Sequence, residues 1–316
     1  MANATPSRLG QENAAGDVTA LFLKVMSGEI LAAFDRESAF RMRHMVRVIA
    51  NGKSAQFPVT GLAQASYHTP GAEITGQTIR HGERVIVIDD MLISPIFVSN
   101  IDEMMNYYDV RSIYSNEIGE ALAKAYDQNV ARVFVEAARS PAVVTGLPGG
   151  GSDTDADYDT DGTKLWTGIF NAGVELDTKD IPMADRYAWL KPVQYALVVQ
   201  SEKVIDRDLN EMNGSLAEGL VKRINSIPII KTNNMPTTDD RANTAIPAAR
   251  RADYSPTQVI IAHRNAAGTV QLQDVTMEQD YDMRRQGHLM VGKYLVGHGP
   301  LRPEAAFELR TAAPLE

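Results

Sequence analysis

The 316-residue chain contains no cysteine. That excludes a disulfide framework and any mechanism built on a thiolate, and it leaves the redox compartment open. Basic residues are outnumbered, 31 Lys and Arg against 40 Asp and Glu, giving a net charge of −9. Tight binding to a polyanion needs clustered cations that displace counterions, so this balance opposes it. No apolar run approaches the ~20 residues of a membrane span, and residues 1–16 lack the apolar core of a signal peptide. The expectation is a soluble intracellular chain with no membrane partner. No HExxH, GxSxG or GxGxxG motif occurs. The histidines at 44, 68, 81, 263, 288 and 298 never stand at i, i+4. Each reads as a strand or turn histidine, not as a metal ligand.

What is present is ordinary globular material. Hydrophobic content is 44%, and the length suits a large core in two domains. The longest helical pattern runs from Asn100 to Ser140 without a proline, and Pro141 stops it. Ile118, Leu122, Ala125, Tyr126, Val133 and Ala137 share one face, with Glu117, Glu120, Lys124 and Asp127 on the other. Asp109 can cap a helix start. The pattern predicts a short helix from Asn100, a break near Tyr108 and one long strut beyond it.

Residues 1–16 are small and polar. Val18, Leu21, Phe22 and Val25 form an apolar stripe that shifts register at Ser27-Gly28. This is either a docking arm or a helix on its own core. Over 43–90 the period changes to strand: Val46 and Val48, Ala55–Val59, and Val85 and Val87 with Ile86 and Ile88. Gly61, Pro70, Gly71 and Gly76 punctuate the stretch between. The pattern predicts a long two-stranded ribbon with a broad tip. Such a ribbon is marginal alone in water, so it needs a partner surface. Gly52-Lys53-Ser54 echoes a phosphate-binding loop, but Arg47 occupies the place of its first glycine and a strand follows, which removes nucleotide binding.

Residues 143–163 read as a surface loop rich in glycine and aspartate. Asp157, Asp159, Asp161 and Gly162 match the first half of a calcium loop, yet Gly168 stands where the closing glutamate belongs. No metal or other cofactor is expected. Residues 164–260 predict a mixed α/β region. It has a strand over Arg186–Leu190, a helix from Pro192 to about Gln200, a weak helix over Met212–Arg223 and an edge strand at Ile227–Lys231 interrupted by Pro228. A loop over Asn233–Ala252 and a strand over Gln258–His263 follow. Extended segments over Val270–Asp280 and His288–Val296 come next, then a tight turn at Gly297–Pro300. A last strand over Ala305–Arg310 sets Phe307 and Leu309 against Glu308 and Arg310.

Several of these stretches resemble one family. ALFLKVMSGEILAAF (20–34), RHMVR (43–47), GKSAQFPV (52–59), MNYYDVRSIYS (105–115), GTVQLQDV (268–275) and KYLVGHGPLRPEAA (293–306) look like the major capsid proteins of short-tailed, double-stranded-DNA bacteriophages, the Autographivirus group of podoviruses. The resemblance implies an α+β chain with the Hong Kong 97 capsid fold. Residues 1–42 would be an N-terminal arm and 43–95 the E-loop ribbon. Residues 96–145 and 262–292 would be the P-domain, its spine helix at about 109–140, and 146–261 with 293–316 the A-domain. It implies a structural, non-enzymatic subunit that assembles with itself as pentamers and hexamers in the host cytoplasm. The resulting icosahedral shell would enclose double-stranded DNA without sequence-specific binding. A scaffolding protein, a portal and a cement protein are implied as partners. The inter-subunit contacts expected are Leu21, Phe22 and Val25 on the arm and Tyr67, His68, Pro70 and Gly71 at the ribbon tip. Two alternatives remain open: an encapsulin-type compartment shell, and a metal-dependent enzyme using the acidic loop 153–161.

Overall fold

A computed structural model describes residues 38–71, 73–74, 76–105, 110–201, 214–215 and 220–315. The strands are β1 (Met45–Val48), β2 (Ser54–Thr60), β3 (His81–Val87), β4 (Leu92–Ser99), β5 (Gly151–Thr154), β6 (Arg186–Leu190), β7 (Gly214–Ser215) and β8 (Leu220–Val221). They continue as β9 (Arg223–Ile224), β10 (Ile227–Lys231), β11 (Thr257–His263), β12 (Ala267–Asp282), β13 (Gly287–Pro300) and β14 (Ala306–Arg310). The helices are α1 (Asn100–Met105), α2 (Val110–Arg139), α3 (Gly162–Thr178) and α4 (Pro192–Gln200). The expected short helix from Asn100 and the 30-residue strut are both present; the expected break near Tyr108 and the cap Asp109 lie outside the described residues.

The chain forms two compact units. The first holds 90–126 and 273–296. Here β4 pairs antiparallel with β13, from Leu92↔Tyr294 to Ser99↔Gly287. Val98, Ile118, Leu122 and Met290 form its core, with Leu92 and Ile96 against them. A Cβ on Gly292 would lie 2.4 Å from Ile118 Cγ2, so only glycine lets α2 approach β13 this closely. Strand β4 carries Pro95 between Ser94 and Ile96 and was not foreseen as a strand.

The second unit holds 39–89, 127–272 and 297–316. Its six-stranded sheet has the order β5-β14-β11-β6-β10-β9. Strand β14 is buried on both faces. Leu309 reaches the α3 side, where it would touch a Cβ on Gly168, whereas Glu308 meets Arg139 on α2. The expected polar partner of Phe307 and Leu309 therefore points into a second packed layer. The centre is Trp189, stacked on Phe40 at 4.8 Å and tilted on Phe134 at 4.9 Å. Its indole N–H donates to the Ala39 carbonyl at 3.1 Å. Aromatic contacts of this kind add to the gain from area burial alone.

Several expectations are corrected here. Asp127, placed on the exposed face of the long helix, is fully buried. It accepts from the Ala39 N–H at 2.9 Å and the Asn234 amide at 3.1 Å, which replace its water. Strand β1 does not belong to the ribbon but pairs parallel with β12, Met45↔Gly268 to Val48↔Gln271. The stretch 143–163 is not simply a loop: Gly151–Thr154 pairs parallel with β14. Two of its aspartates are caps. Asp155 accepts from the Asp157 N–H at the start of a 3-10 turn, and Asp161 accepts from the Thr163 and Lys164 N–H groups to start α3. The helix α3 went unread; its glycines at 162, 168 and 173 are poor helix formers that tertiary contact accommodates. In place of a helix over Met212–Arg223, the described residues form the short strands β7, β8 and β9. Strand β10 is not an edge, since it lies between β6 and β9. Pro228 is tolerated where β10 meets only the two-residue β9.

The remaining correction concerns 297–300, which are strand rather than turn. A Cβ on Gly297 would lie 2.2 Å from the Val87 carbonyl oxygen, and one on Gly299 3.0 Å from Ile86. These glycines serve close approach to β3. Gly297→Ala is therefore expected to destabilise the subunit by ~1–3 kcal/mol through overpacking, read as a lower thermal midpoint.

Candidate assembly interface

The ribbon is β2 and β3, antiparallel from Ser54↔Val87 to Thr60↔His81. Alternation gives it two faces. Ala55, Val59 and Ile86 are buried. Ala55 and Ile86 cluster with Val270 and Leu301, with Ile49, Phe57 and Ile88 alongside. The other face leaves Val85 and Val87 nearly half exposed. The root is braced from several sides. Arg47 donates to the Gln56 carbonyl at 2.9 Å and lies over the Phe57 ring. Val143 and Val144 sit against Gly82.

A buried polar chain runs beneath this root. Thr269 Oγ1 lies 2.8 Å from His44 Nε2 and 2.8 Å from His298 Nδ1. His44 Nδ1 lies 2.7 Å from the Phe40 carbonyl. That carbonyl can only accept, so Nδ1 of His44 carries the proton and Nε2 accepts from the Thr269 hydroxyl. The hydroxyl oxygen then accepts from Nδ1–H of His298. The assignment follows from hydrogen-bond capacity, and it requires the His44 ring neutral. Burial supports this, lowering the His44 pKa to about 4 and that of His298 well below its usual value. The folded state thus takes up these protons at lower pH than the unfolded chain, and stability falls as pH drops from about 6.5 towards 4.

Glu136 on α2 has the opposite sign. Burial raises its pKa to about 7. The Tyr254 hydroxyl is the donor here, shared between Glu136 Oε1 at 3.2 Å and the Arg250 carbonyl at 2.9 Å. Its contribution is complete below about 4.5 and lost as pH rises through about 7. Glu136→Gln is therefore expected to raise the thermal midpoint of the unassembled subunit at pH 7.5 by several degrees. It should also steepen the loss of stability between pH 7 and pH 4.5, as followed by calorimetry.

Beyond Thr60 and His81 the ribbon opens into its tip. The Gly61 N–H still donates to the Arg80 carbonyl at 2.8 Å. Every described residue from 62 to 80 is exposed. Four carry large apolar side chains: Leu62 (76% exposed), Tyr67 (105%), Ile74 (80%) and Ile79 (40%). The expected contact residues Tyr67, His68, Pro70 and Gly71 stand together here, with Gly71 at φ +91° turning the chain where a Cβ would be strained. Leu21, Phe22 and Val25 lie outside the described residues. Leu62, Ile74 and Ile79 were not singled out from sequence; their signal was large apolar residues recurring within a polar, glycine-punctuated stretch. Among the described residues no group of three or more His, Asp or Glu side chains could hold a metal ion.

A subunit with a braced ribbon and an apolar, unsupported tip is a structural building block, of the class that forms protein shells. Comparison with known proteins supplies the family. The "Gp10A-like: Major capsid protein" family model matches residues 56–310. The chain is 33% identical to the major capsid protein of Escherichia phage T7, over 93% of this chain and 92% of the relative. It is similar to the capsid structure of cyanophage P-SCSP1u, with 43% identity, a TM-score of 0.83, and coverage of 98% and 99% of the two chains. The mature capsid of bacteriophage PhiM1 shares the fold, with a TM-score of 0.77 at 18% identity over 98% and 99% of the two chains. The chain belongs to the Gp10A-like major capsid protein family of phages. Its fold is α+β of the Hong Kong 97 type, and its role is structural: it associates with copies of itself in the virion shell.

Proposed function

We propose that this chain builds pentamers and hexamers of one icosahedral shell around double-stranded DNA, and that the ribbon tip docks on a neighbouring copy. The observation that carries this is the tip itself: four large apolar side chains exposed on a segment with no interior of its own. Exposed apolar groups concentrated in this way mark an interaction site. Head-to-tail contacts between unlike patches close into rings, as such a shell requires.

In this reading 1–42 is the arm, 43–95 the E-loop together with β1 outside its two-stranded ribbon, 96–145 with 262–292 the P-domain, and 146–261 with 293–316 the A-domain. The subunit performs no catalysis. The acidic stretch 153–161, the one candidate for a metal-dependent enzyme, has Asp155 and Asp161 engaged as caps and Asp157 paired with Lys164. Assembly takes place in the host cytoplasm with a scaffolding protein, a portal and a cement protein as partners. The DNA is enclosed without sequence-specific contacts, in keeping with the net charge of −9.

Sedimentation velocity and negative-stain microscopy, with and without a scaffolding protein, test the reading. Closed shells, or tubes and partial shells, are expected; a slowly sedimenting monomer under both conditions would contradict it. The arm is tested by Phe22→Asp, which is expected to block shell formation while leaving the subunit folded. Shells at normal yield would remove the arm from the account.

A further inference from the structure

The neck of the tip is closed by a side chain standing in for backbone. The Gln64 N–H donates to Gln77 Oε1 at 3.0 Å, and Gln77 Nε2 donates to the Gln64 carbonyl. In an antiparallel ladder two facing residues exchange both backbone bonds in this pattern. Gln64 and Gln77 are in register with the ladder that ends at Thr60↔His81 and with the Gly61–Arg80 bond. The primary amide of Gln77 therefore bridges the two arms four residues beyond Thr60, at a pair that falls between the backbone-bonded positions of this register. In the continued register, exposed Leu62 and Ile79 stand opposite each other, between the Gly61–Arg80 bond and this clasp.

We infer that Gln77 is a positioning residue for assembly: its amide clasp pre-orders the tip so that Leu62, Tyr67, Ile74 and Ile79 meet a neighbouring copy together. The inference rests on the docking role proposed for the tip. Its physical basis is that segments ordered only on binding lose affinity to the entropy of ordering. The described tip residues have no buried core to order them. Among the described residues, the bidentate amide at the neck is the one cross-ribbon hydrogen-bond pair on the tip side of Gly61. No other residue type of similar length supplies it. Glutamate lacks the donor, leucine lacks both groups, and asparagine is one methylene short.

Hydrogen exchange on the unassembled subunit and the threshold concentration for shell formation by light scattering test this together. Gln77→Ala is expected to speed exchange of the Gln64 amide and to raise the threshold about three- to tenfold; Gln77→Glu, which keeps the acceptor but sets a carboxylate against the Gln64 carbonyl, is expected to raise the threshold to a similar extent. That range corresponds to about one net hydrogen bond per subunit. Gln64→Ala is the control, because the clasp uses only the Gln64 backbone; it is expected to leave both readings unchanged. Wild-type exchange and threshold in Gln77→Ala would overturn the inference, as would a Gln64→Ala variant equally impaired. The double variant Tyr67→Asp with Ile74→Asp separates the two readings. If it fails to assemble while Gln77→Ala assembles normally, only the positioning role falls. If it assembles normally, the docking role falls and takes the positioning role with it.

Discussion

Replacing Arg139 with methionine is expected to cost the subunit ~3–5 kcal/mol of stability, the range for breaking a buried ion pair. Arg139 ends α2 and grips the sheet. Its Nε and Nη2 contact the two Glu308 oxygens at 2.8 and 2.7 Å. Its Nη1 donates to the Asp253 carbonyl at 2.6 Å, and its plane lies over the Tyr254 ring. The Glu308 side chain has no solvent exposure. Removing the arginine therefore strands a carboxylate in a dry interior, with only the Thr257 hydroxyl at 2.6 Å and a distant Arg310 beside it. The penalty belongs to that stranded charge more than to the lost attraction. Hence Arg139→Met combined with Glu308→Leu is expected to recover most of the stability, a coupling read by urea denaturation of all four species. A single variant as stable as wild type would show that the pair does not hold helix to sheet.

The tip carries the largest expected effect on assembly. Tyr67→Asp with Ile74→Asp changes two side chains that stand 105% and 80% exposed in the subunit, so stability should stay within about 0.5 kcal/mol of wild type. Burying the two carboxylates on a neighbour would be costly at every copy. A loss of only ~3 kcal/mol per subunit raises the assembly threshold more than a hundredfold. The variant is expected to sediment as unassembled subunits at concentrations where wild type forms shells, with an unchanged circular dichroism spectrum. Shells at wild-type concentration would show that the tip is not a contact.

Sequence alone disclosed the elements whose period is long and uninterrupted. The strut over 110–139, the ribbon strands, β6, α4, β11 and β14 all follow from apolar spacing and from Pro141 and Pro192 as punctuation. What it hid are places where tertiary contact overrides a local rule. Gly162, Gly168 and Gly173 weaken α3 as an isolated helix, yet each lets it lie against a neighbour: a Cβ on Gly162 would meet the Leu197 carbonyl at 2.0 Å. Asp127 and Glu308 read as solvent-facing by charge, but each found buried donors distant in sequence. The aspartates of 153–161 imitated a calcium loop because capping and metal binding use the same carboxylate geometry. At the tip the glycine and proline signals placed the turn correctly. The Gln77 clasp could not be read, since it depends on a register fixed twenty residues earlier.

The cysteine-free chain offers one direct test of the central claim, that the tip is buried on a neighbouring copy. A Tyr67→Cys variant carries a single thiol at a fully exposed position. Its alkylation rate is measured before and after shell formation, on the same preparation. The account predicts rapid labelling in the free subunit and at least about tenfold protection in the shell, as expected for a group removed from solvent by a packed interface. Equal labelling rates in subunit and shell would contradict it.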